Sequence, residues 1–460
     1  MLPSLDEIKR YSTTVCEQIR WKKAHPGIAK EIEDHLCDQR DSYLAEGDEE
    51  ETATQKAILQ MGDAVHVGTL LDKTHKPKPQ WMLILMTVSL MLVGAGARYF
   101  IDGSEASLEN FSAVPFIIAL AIFLTAYFLD FTALAKYPKI CYFLVLILSM
   151  AGLTLASKVN GRAWFFFARF GFSLSYLSLI FPLVYSLFIY AMRSKGTRGI
   201  LLCGIAYMPY AIILLLVPST TGFVLYTFSA SVLLLAAMRK GWFGGGKRRG
   251  MLLVLVPAAI SVFSLISLFL LQPYRFERLR ILLDPASDPR GYQTVMIREL
   301  MSGAVVAGRG IIPQQYGSDV LSLSWFDTDL VLTALTHKYG WIVFMGIAFL
   351  FIIFSALGFR YVSRQRSVLG FMVSLSILLI FVTQVILYMA TNLGYGLLTA
   401  LSLPLVSYGK TALFLNAGLI GIMLSVFRTG EVIRDGYQPN VKAGSFISYE
   451  DGKLIINLKG

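Results

Sequence analysis

From about residue 80 onward, apolar residues come in long uninterrupted runs, not in the alternating or every-third pattern of a half-buried element. A helix needs about 20 apolar residues to cross a bilayer, and a helix apolar all round is surrounded by lipid or by other helices. The pattern predicts about ten spans, near 81–100, 113–130, 138–157, 172–192, 199–217, 221–238, 251–271, 340–358, 368–390 and 409–427. One long polar interruption, 272–339, separates the seventh run from the eighth. Residues 1–79 are mixed in character. There Ile28, Ile32 and Leu36 recur at helical spacing, and a second run, Thr52 to Met61, stops at Gly62, a residue that favours helix ends. Asp48, Glu49, Glu50 and Glu51 suit the first turn of that second helix.

The expected fold is therefore an all-α polytopic membrane protein with a large extracellular loop between spans 7 and 8 and a small N-terminal helical cytosolic domain. Its parts are a prefix domain at 1–79, a ten-span domain at 80–430 and a cytosolic tail at 431–460. Within the tail, Phe446 to Leu458 reads as two short strands about Asp451-Gly452, a tight-turn pair.

Composition agrees with this reading. Of 460 residues 55% are hydrophobic and 15% charged, more apolar sequence than a soluble core needs. The net charge of +11 does not point to nucleic acid, because the basic residues cluster in short loops between apolar runs. Arg193, Lys195 and Arg198 form one cluster, Arg239, Lys240, Lys247, Arg248 and Arg249 a second, and Arg360, Arg364 and Arg366 a third. Charge retained at the cytoplasmic face has this distribution. It puts both termini in the cytosol of a multi-pass cytoplasmic-membrane protein and the loops near 158–171, 272–339 and 391–408 outside.

Several chemistries are disfavoured. Gly241-Trp-Phe-Gly-Gly-Gly246-Lys247-Arg248 nearly spells a phosphate-binding loop, but Arg248 replaces the Ser/Thr and a membrane span replaces the preceding strand. The five histidines are scattered and the four cysteines have no metal or redox spacing. No cofactor is evident. A divalent cation is compatible with the pattern, although no dedicated ligand set is visible.

The outer segment carries the candidate chemistry. Tyr274-Arg-Phe-Glu-Arg278 leads into Asp284-Pro285-Ala-Ser-Asp288-Pro289-Arg290-Gly291-Tyr292-Gln293. Two Asp-Pro pairs impose turns, and guanidinium groups near a membrane surface can hold a phosphate bidentately. The same residues also fit an ordinary solvated loop. Near the end of the segment come Asp327-Thr328-Asp329 and then an apolar run. A carboxylate at a membrane boundary is costly to desolvate and so marks a functional candidate. With a raised pKa it could act as a general base. As plain structure, it would cap the helix that follows.

In this order the segments resemble the SEDS family (shape, elongation, division and sporulation), the group of RodA, FtsW and SpoVE, over roughly residues 81–430. The matching pieces are Asp284-Pro285-x-x-Asp288-Pro289-x-Gly291-Tyr292-Gln293 with Tyr274 and Arg278 upstream, and Thr328-Asp329-Leu-Val-Leu-Thr-Ala-Leu. To these are added Asn392-Leu-Gly-Tyr-Gly396 with Leu403-Pro404-Leu-Val-Ser407-Tyr408-Gly409, and Asn160-Gly161-Arg162-Ala-Trp164. The resemblance implies a ten-span glycosyltransferase that polymerises lipid II into peptidoglycan outside the membrane, in cell-shape, division or sporulation wall synthesis. It makes Asp329 the essential aspartate. It places Asn160, Arg162, Trp164, Tyr274, Arg278, Asp284, Asp288, Tyr292, Gln293, Asn392, Pro404, Ser407, Tyr408 and Lys410 around the substrate. It also implies a class B penicillin-binding protein as partner.

The chain departs from the family pattern in places. Ser173-Leu174-Ser175-Tyr176 replaces Gln-Pro-Ser-Glu, Leu179 stands where a lysine is usual, His337-Lys338 replaces Glu-Glu, and Lys410 replaces a glycine. These losses of polar support open a second reading, a SEDS-like scaffold or regulator of the penicillin-binding protein. A lipid transporter is the third reading. It fits less well because polar residues gather at the outer ends of the runs and not at mid-membrane. The first 79 residues resemble the helical prefix found before some bacterial permeases.

Overall fold

The structure, a computed structural model, describes residues 3–75, 77–102, 113–159, 162–167, 170–217, 219–244, 280–281, 283–316, 328–396, 401–430, 447–450 and 453–456. Contacts divide the chain into two compact units, residues 1–79 with 428–434, and residues 80–427 with 435–460.

The first unit contains four helices, α1 (Pro3–Glu17), α2 (His25–Ala45), α3 (Glu50–Met61) and α4 (Ala64–His75). As their spacing predicts, Ile28, Ile32 and Leu36 form one buried stripe of α2. They pack against Ile8, Val15, Ile19 and Ala57. Gly62 closes α3 with a φ of +89°, a conformation only glycine adopts without strain. Asp72 on α4 accepts from the Arg20 backbone N–H at 3.0 Å and from the Arg20 guanidinium at 2.7 Å, which ties α4 to the end of α1. The expected pattern picks out α2 and α3 only, yet α1 also carries a buried stripe, Ile8, Tyr11, Val15 and Cys16, at helical spacing.

In the second unit, seven helices among the described residues are long and apolar enough to cross a membrane. They are α8 (Pro138–Leu155), α9 (Phe181–Met192, entered through a 3-10 turn at Leu174–Leu179), α10 (Gly196–Leu216), α11 (Thr220–Arg239), α14 (Trp341–Ser363), α15 (Val368–Asn392) and α16 (Lys410–Thr429). Two shorter apolar stretches lie in α5 (Trp81–Asp102) and α6 (Val114–Phe128). The expected run at 251–271 lies outside the described residues. Short helices fill the remaining places, α7 (Ala133–Lys136), α12 (Tyr292–Ser302) and α13 (Val331–Tyr339).

Burial ranks the spans. In α15, 83% of the apolar window is buried within the protein, against 11% in α8. Thus α15 is the central post and α8 faces outward. Between them, tyrosines satisfy polar backbone that lipid cannot. Pro209 inside α10 removes a helical N–H. Tyr142 donates to the nearby Ala206 carbonyl, Tyr210 donates to the Tyr142 carbonyl at 2.7 Å, and Tyr185 donates to the Cys203 carbonyl at 3.1 Å.

The loop expected at 158–171 includes an antiparallel sheet of β1 (Ser157–Val159), β2 (Arg162–Phe167) and β3 (Phe170–Ser173), with Trp164 opposite both Ser157 and Ser173. The aromatic run Trp164-Phe-Phe-Phe167 favours a pleated surface, but it is too short to register as a strand pattern beside membrane-length runs. In the tail, β4 (Ile447–Glu450) pairs with β5 (Lys453–Ile456), with Ile447 opposite Ile456.

A buried turn at 401–409 leads into α16. Leu405 there is buried with a φ of +65°, left-handed backbone that a branched side chain occupies only under strain. Gly94 of α5 packs against this turn, and a Cβ at that position would lie 2.5 Å from the Val406 carbonyl and 2.8 Å from the Leu405 carbonyl. Gly94→Val is therefore expected to push α5 off the turn and destabilise the protein by about 1–3 kcal/mol, with Gly94→Ala smaller in effect but of the same sign. Thermal unfolding of the two variants in detergent would check this ordering.

Candidate functional site

Thr328 and Asp329 form the turn that leads into α13. A helix start leaves backbone N–H groups without intrahelical partners, and two of them here find side chains of α15. The Val331 N–H donates to the Tyr388 hydroxyl at 3.1 Å, and the Thr333 N–H donates to Asn392 Oδ1 at 3.1 Å. The carbonyls of the turn are held as well. Asn392 Nδ2 donates to the Asp329 carbonyl at 3.0 Å, while the Thr328 carbonyl accepts from Tyr388 at 3.1 Å and from Ser407 at 2.8 Å.

Each clamping side chain is itself fixed. Asn392 Nδ2 also donates to the Tyr388 carbonyl at 3.0 Å, and Thr333 Oγ1 lies 3.0 Å from both Asn392 Oδ1 and the Asn392 carbonyl. Ser407 Oγ accepts from the Leu403 N–H at 2.9 Å. Asn392, Tyr388, Thr333 and Ser407 are all buried, whereas Asp329 is half-buried. The backbone of the turn that carries the aspartate is therefore held by side chains on both its donors and its carbonyls. These bonds, which cap α13, come from α15, a different source from the Asp-Thr-Asp cap that the sequence alone also allowed.

The remaining candidates are spread around this turn. Pro404 and Ser407 are buried in the 401–409 turn, Tyr408 is half-buried with its ring tilted on Phe116 at 6.3 Å, and Lys410 is exposed at the first position of α16. Asp284 is exposed and Asp288 half-buried in the double Asp-Pro turn, where their carbonyls accept from the hydroxyl of Ser287 and the N–H of Gly291, both at 2.8 Å. Gly291 is required there, since a Cβ would fall 2.1 Å from the Pro285 carbonyl. Tyr292 and Gln293 are exposed at the start of α12. Trp164 stacks on Phe166 at 6.1 Å, and Arg162 lies on β2. Asn160, Tyr274, Arg278 and Asp327 lie outside the described residues. No cluster of three or more metal-ligating side chains occurs among the described residues.

Sequence reasoning missed Tyr388 and Thr333, which look like ordinary helix residues. It also missed Gln384, whose amide donates to the Ser402 carbonyl at 2.7 Å, and Arg298, which donates to the Gly394 carbonyl at 3.0 Å. A polar residue inside an otherwise apolar span, as Gln384 is, was the available signal.

A sequence profile of the family described as cell cycle protein (FtsW, RodA, SpoVE) matches residues 78–431. The chain is similar to the probable peptidoglycan glycosyltransferase FtsW of Pseudoalteromonas translucida, 26% identical over 395 residues, covering 79% of this chain and 94% of that protein. It is similar to stage V sporulation protein E of Bacillus subtilis, 23% identical over 378 residues, covering 77% and 98%. Among solved structures, a chain of a peptidoglycan synthase complex aligns with a TM-score of 0.61 at 22% identity, over 76% of this chain and 98% of that one. At that identity the likeness establishes the fold.

Two expectations follow from the geometry. Asn392→Leu strands the Thr333 N–H and the Asp329 carbonyl, each loss costing about 1–3 kcal/mol. Hydrogen exchange at Val331–Thr333 should accelerate in this variant, and Tyr388→Phe should show a smaller effect at the same amides. His337 on α13 is fully buried beneath the loop whose Gly310 N–H donates to its carbonyl at 2.7 Å. Burial pushes its pKa below the ordinary value, and Arg309 adds to this against an opposing contribution from the Ile311 backbone. A histidine held neutral in the fold takes up its proton more readily when unfolded, so stability is lost as pH falls below the unfolded value of about 6.5. Protection of the Gly303–Ile311 amides, relative to their intrinsic exchange rate at each pH, should fall between pH 7 and pH 5, and His337→Leu should flatten that dependence.

Proposed function

The chain belongs to the FtsW/RodA/SpoVE family, and from that premise we propose that it is a peptidoglycan glycosyltransferase that polymerises lipid II at the outer face of the membrane. The observation that carries the reading is the clamped turn at Thr328–Asp329, which fixes a boundary carboxylate from beneath through Tyr388, Asn392 and Ser407. General-base catalysis requires such a group, held in place and still reachable by substrate.

In the proposed reaction the Asp329 carboxylate accepts the proton of the acceptor sugar's hydroxyl. That oxygen forms a bond to the anomeric carbon of the donor as the bond from this carbon to the donor's own pyrophosphate breaks. No nucleotide sugar is needed outside the cell, because the donor carries its leaving group. Arg162, Arg278 and Lys410 are the cations assigned to the departing pyrophosphate, where fixed positive charge stabilises developing negative charge. The exposed position of Lys410 at the start of α16 suits this role, since a helix amino terminus adds to its field. The proposal includes cytosolic termini, with the 272–339 segment outside, and a class B penicillin-binding protein as partner.

The scaffold reading keeps one specific support. Leu179, at the place of the usual lysine, is fully buried, so that position offers no cation. Lipid II polymerisation by the purified chain separates the two readings. Asp329→Asn should lower the rate at least 10²-fold, within the range of ~10²–10⁴ for general-base catalysis, with expression unchanged. Equal polymerisation by the variant would end the mechanism. Full complementation in cells by a variant that makes no polymer would favour the scaffold.

A further inference from the structure

The short helix α12 presents three different faces. Met296, Ile297, Leu300 and Met301 are buried. Arg298 turns toward the end of α15, donating to the Gly394 carbonyl at 3.0 Å with its guanidinium 5.2 Å from the Tyr395 ring centre. Tyr292, Glu299 and Ser302, spaced at i, i+7 and i+10, share the third face. Between this face and the returning chain lies an open groove with a cavity volume of about 560 Å³, lined by Glu299, Ser302, Ile311, Pro313, Gln314 and Gln315.

The groove walls are already organised. Gln315 donates to the Glu299 carboxylate at 2.6 Å, and Tyr316 also bonds to Glu299. Burial, reinforced by that bond, pushes the Tyr316 hydroxyl up to about 12, so it remains a donor throughout the neutral range. The Tyr316 ring meets Tyr292 edge to face at 5.8 Å.

We propose that this groove is a saccharide-binding site and, on the glycosyltransferase reading above, that it holds the N-acetylated glycan strand outside the reaction centre. A pyranose offers apolar C–H faces and a ring of hydroxyls. It calls for an apolar or aromatic shelf beside groups that both donate and accept. Ile311 and Pro313 supply the shelf, and the Tyr292–Tyr316 pair lies beside the lining residues Glu299 and Gln315. The two glutamine amides donate and accept, Ser302, whose proton goes to the Glu299 carbonyl at 2.9 Å, accepts, and the carboxylate accepts strongly. Charge narrows the ligand class, because among the described residues Glu299 is the one charged group that lines the groove. A carboxylate repels pyrophosphate and phospholipid headgroups but accepts hydrogen bonds from hydroxyls. The open shape suits a polymer lying along the surface, whereas small-molecule sites enclose most of their ligand.

Position supports the assignment. The Arg298 bond attaches α12 to Gly394, two residues beyond the Asn392 whose amide holds the Asp329 carbonyl. The groove and the candidate base therefore share one support, the end of α15.

The test uses the full-length protein in detergent, titrated with a lipid-free tetrasaccharide released from peptidoglycan. Binding is expected for the unmodified protein and, unchanged, for Asp329→Asn. Glu299→Gln should weaken it about tenfold, as loss of a hydrogen bond to a charged group does, and Gln314→Ala, at an exposed position, should weaken it by a smaller factor. In a lipid II assay Glu299→Gln should give shorter strands. Absence of tetrasaccharide binding to the unmodified protein, or equal binding by both groove variants, overturns the proposal. So does a pattern in which those variants lose a penicillin-binding protein but keep the sugar, which would make the groove a protein-docking surface. A chain that makes no polymer yet binds sugar through Glu299 would refute the glycosyltransferase reading and leave the groove assignment standing.

Discussion

Polar backbone inside a membrane protein must be satisfied by protein, because lipid supplies neither donors nor acceptors. At the turn before α13 this constraint is met from one direction. Tyr388 and Asn392, one helical turn apart on α15, take the N–H groups of Val331 and Thr333 and the carbonyls of Thr328 and Asp329. Ser407 adds a second donor to Thr328 from the 401–409 turn. The Thr328–Asp329 turn is thereby locked to α15 and to the 401–409 turn, 60 and 79 residues further along the chain, and Asp329 is carried on it. The central burial of α15 follows from the same requirement, since a helix that supplies partners to its neighbours must lie among them.

A similar logic governs the helices around α10. Pro209 interrupts the helical hydrogen bonding, and hydroxyls from Tyr142 and Tyr185 reach backbone carbonyls of the preceding turns. Aromatic residues suit this work because a large apolar ring carries a single polar tip. Tyr142, Tyr185, Tyr210 and Tyr226 are fully buried and pack ring against ring. The candidate site, by contrast, joins helix α15 to two turns. Leu405, held at positive φ, and the close approach of Gly94 belong to that second region. Backbone conformations of this kind persist only where the surroundings over-determine them.

On this reading, catalysis would draw on the same rigidity. A general base gains from being held where the acceptor hydroxyl arrives, and here the holding is done through the backbone atoms of the Thr328–Asp329 turn. The departures from the family pattern at Leu179, His337-Lys338 and Lys410 contribute none of the side chains that clamp the Thr328–Asp329 turn. The 303–311 loop is held against α13 by backbone bonds from Gly310 to the His337 carbonyl and from Gly308 to the Tyr339 carbonyl, and the His337 side chain is buried beneath it.

The run lengths alone fixed the class of the molecule. Apolar stretches near 20 residues have few alternatives to membrane helices, and nine of the ten expected places carry an apolar helix among the described residues. The helices holding Ile28, Ile32 and Leu36 and ending at Gly62 were legible for a local reason too, since periodicity and a glycine stop are read within one turn. The prominence of Asp329 was also local, a carboxylate where a polar stretch meets an apolar run. Its support was not. Tyr388 lies 60 residues from the Thr328 carbonyl it holds, and Asn392 lies 63 from Asp329. Nothing in the composition of α15 distinguishes a tyrosine that packs from one that caps a distant helix. That distinction belongs to tertiary structure, because a hydrogen bond is defined by distance and direction between groups whose separation along the chain carries no information about either.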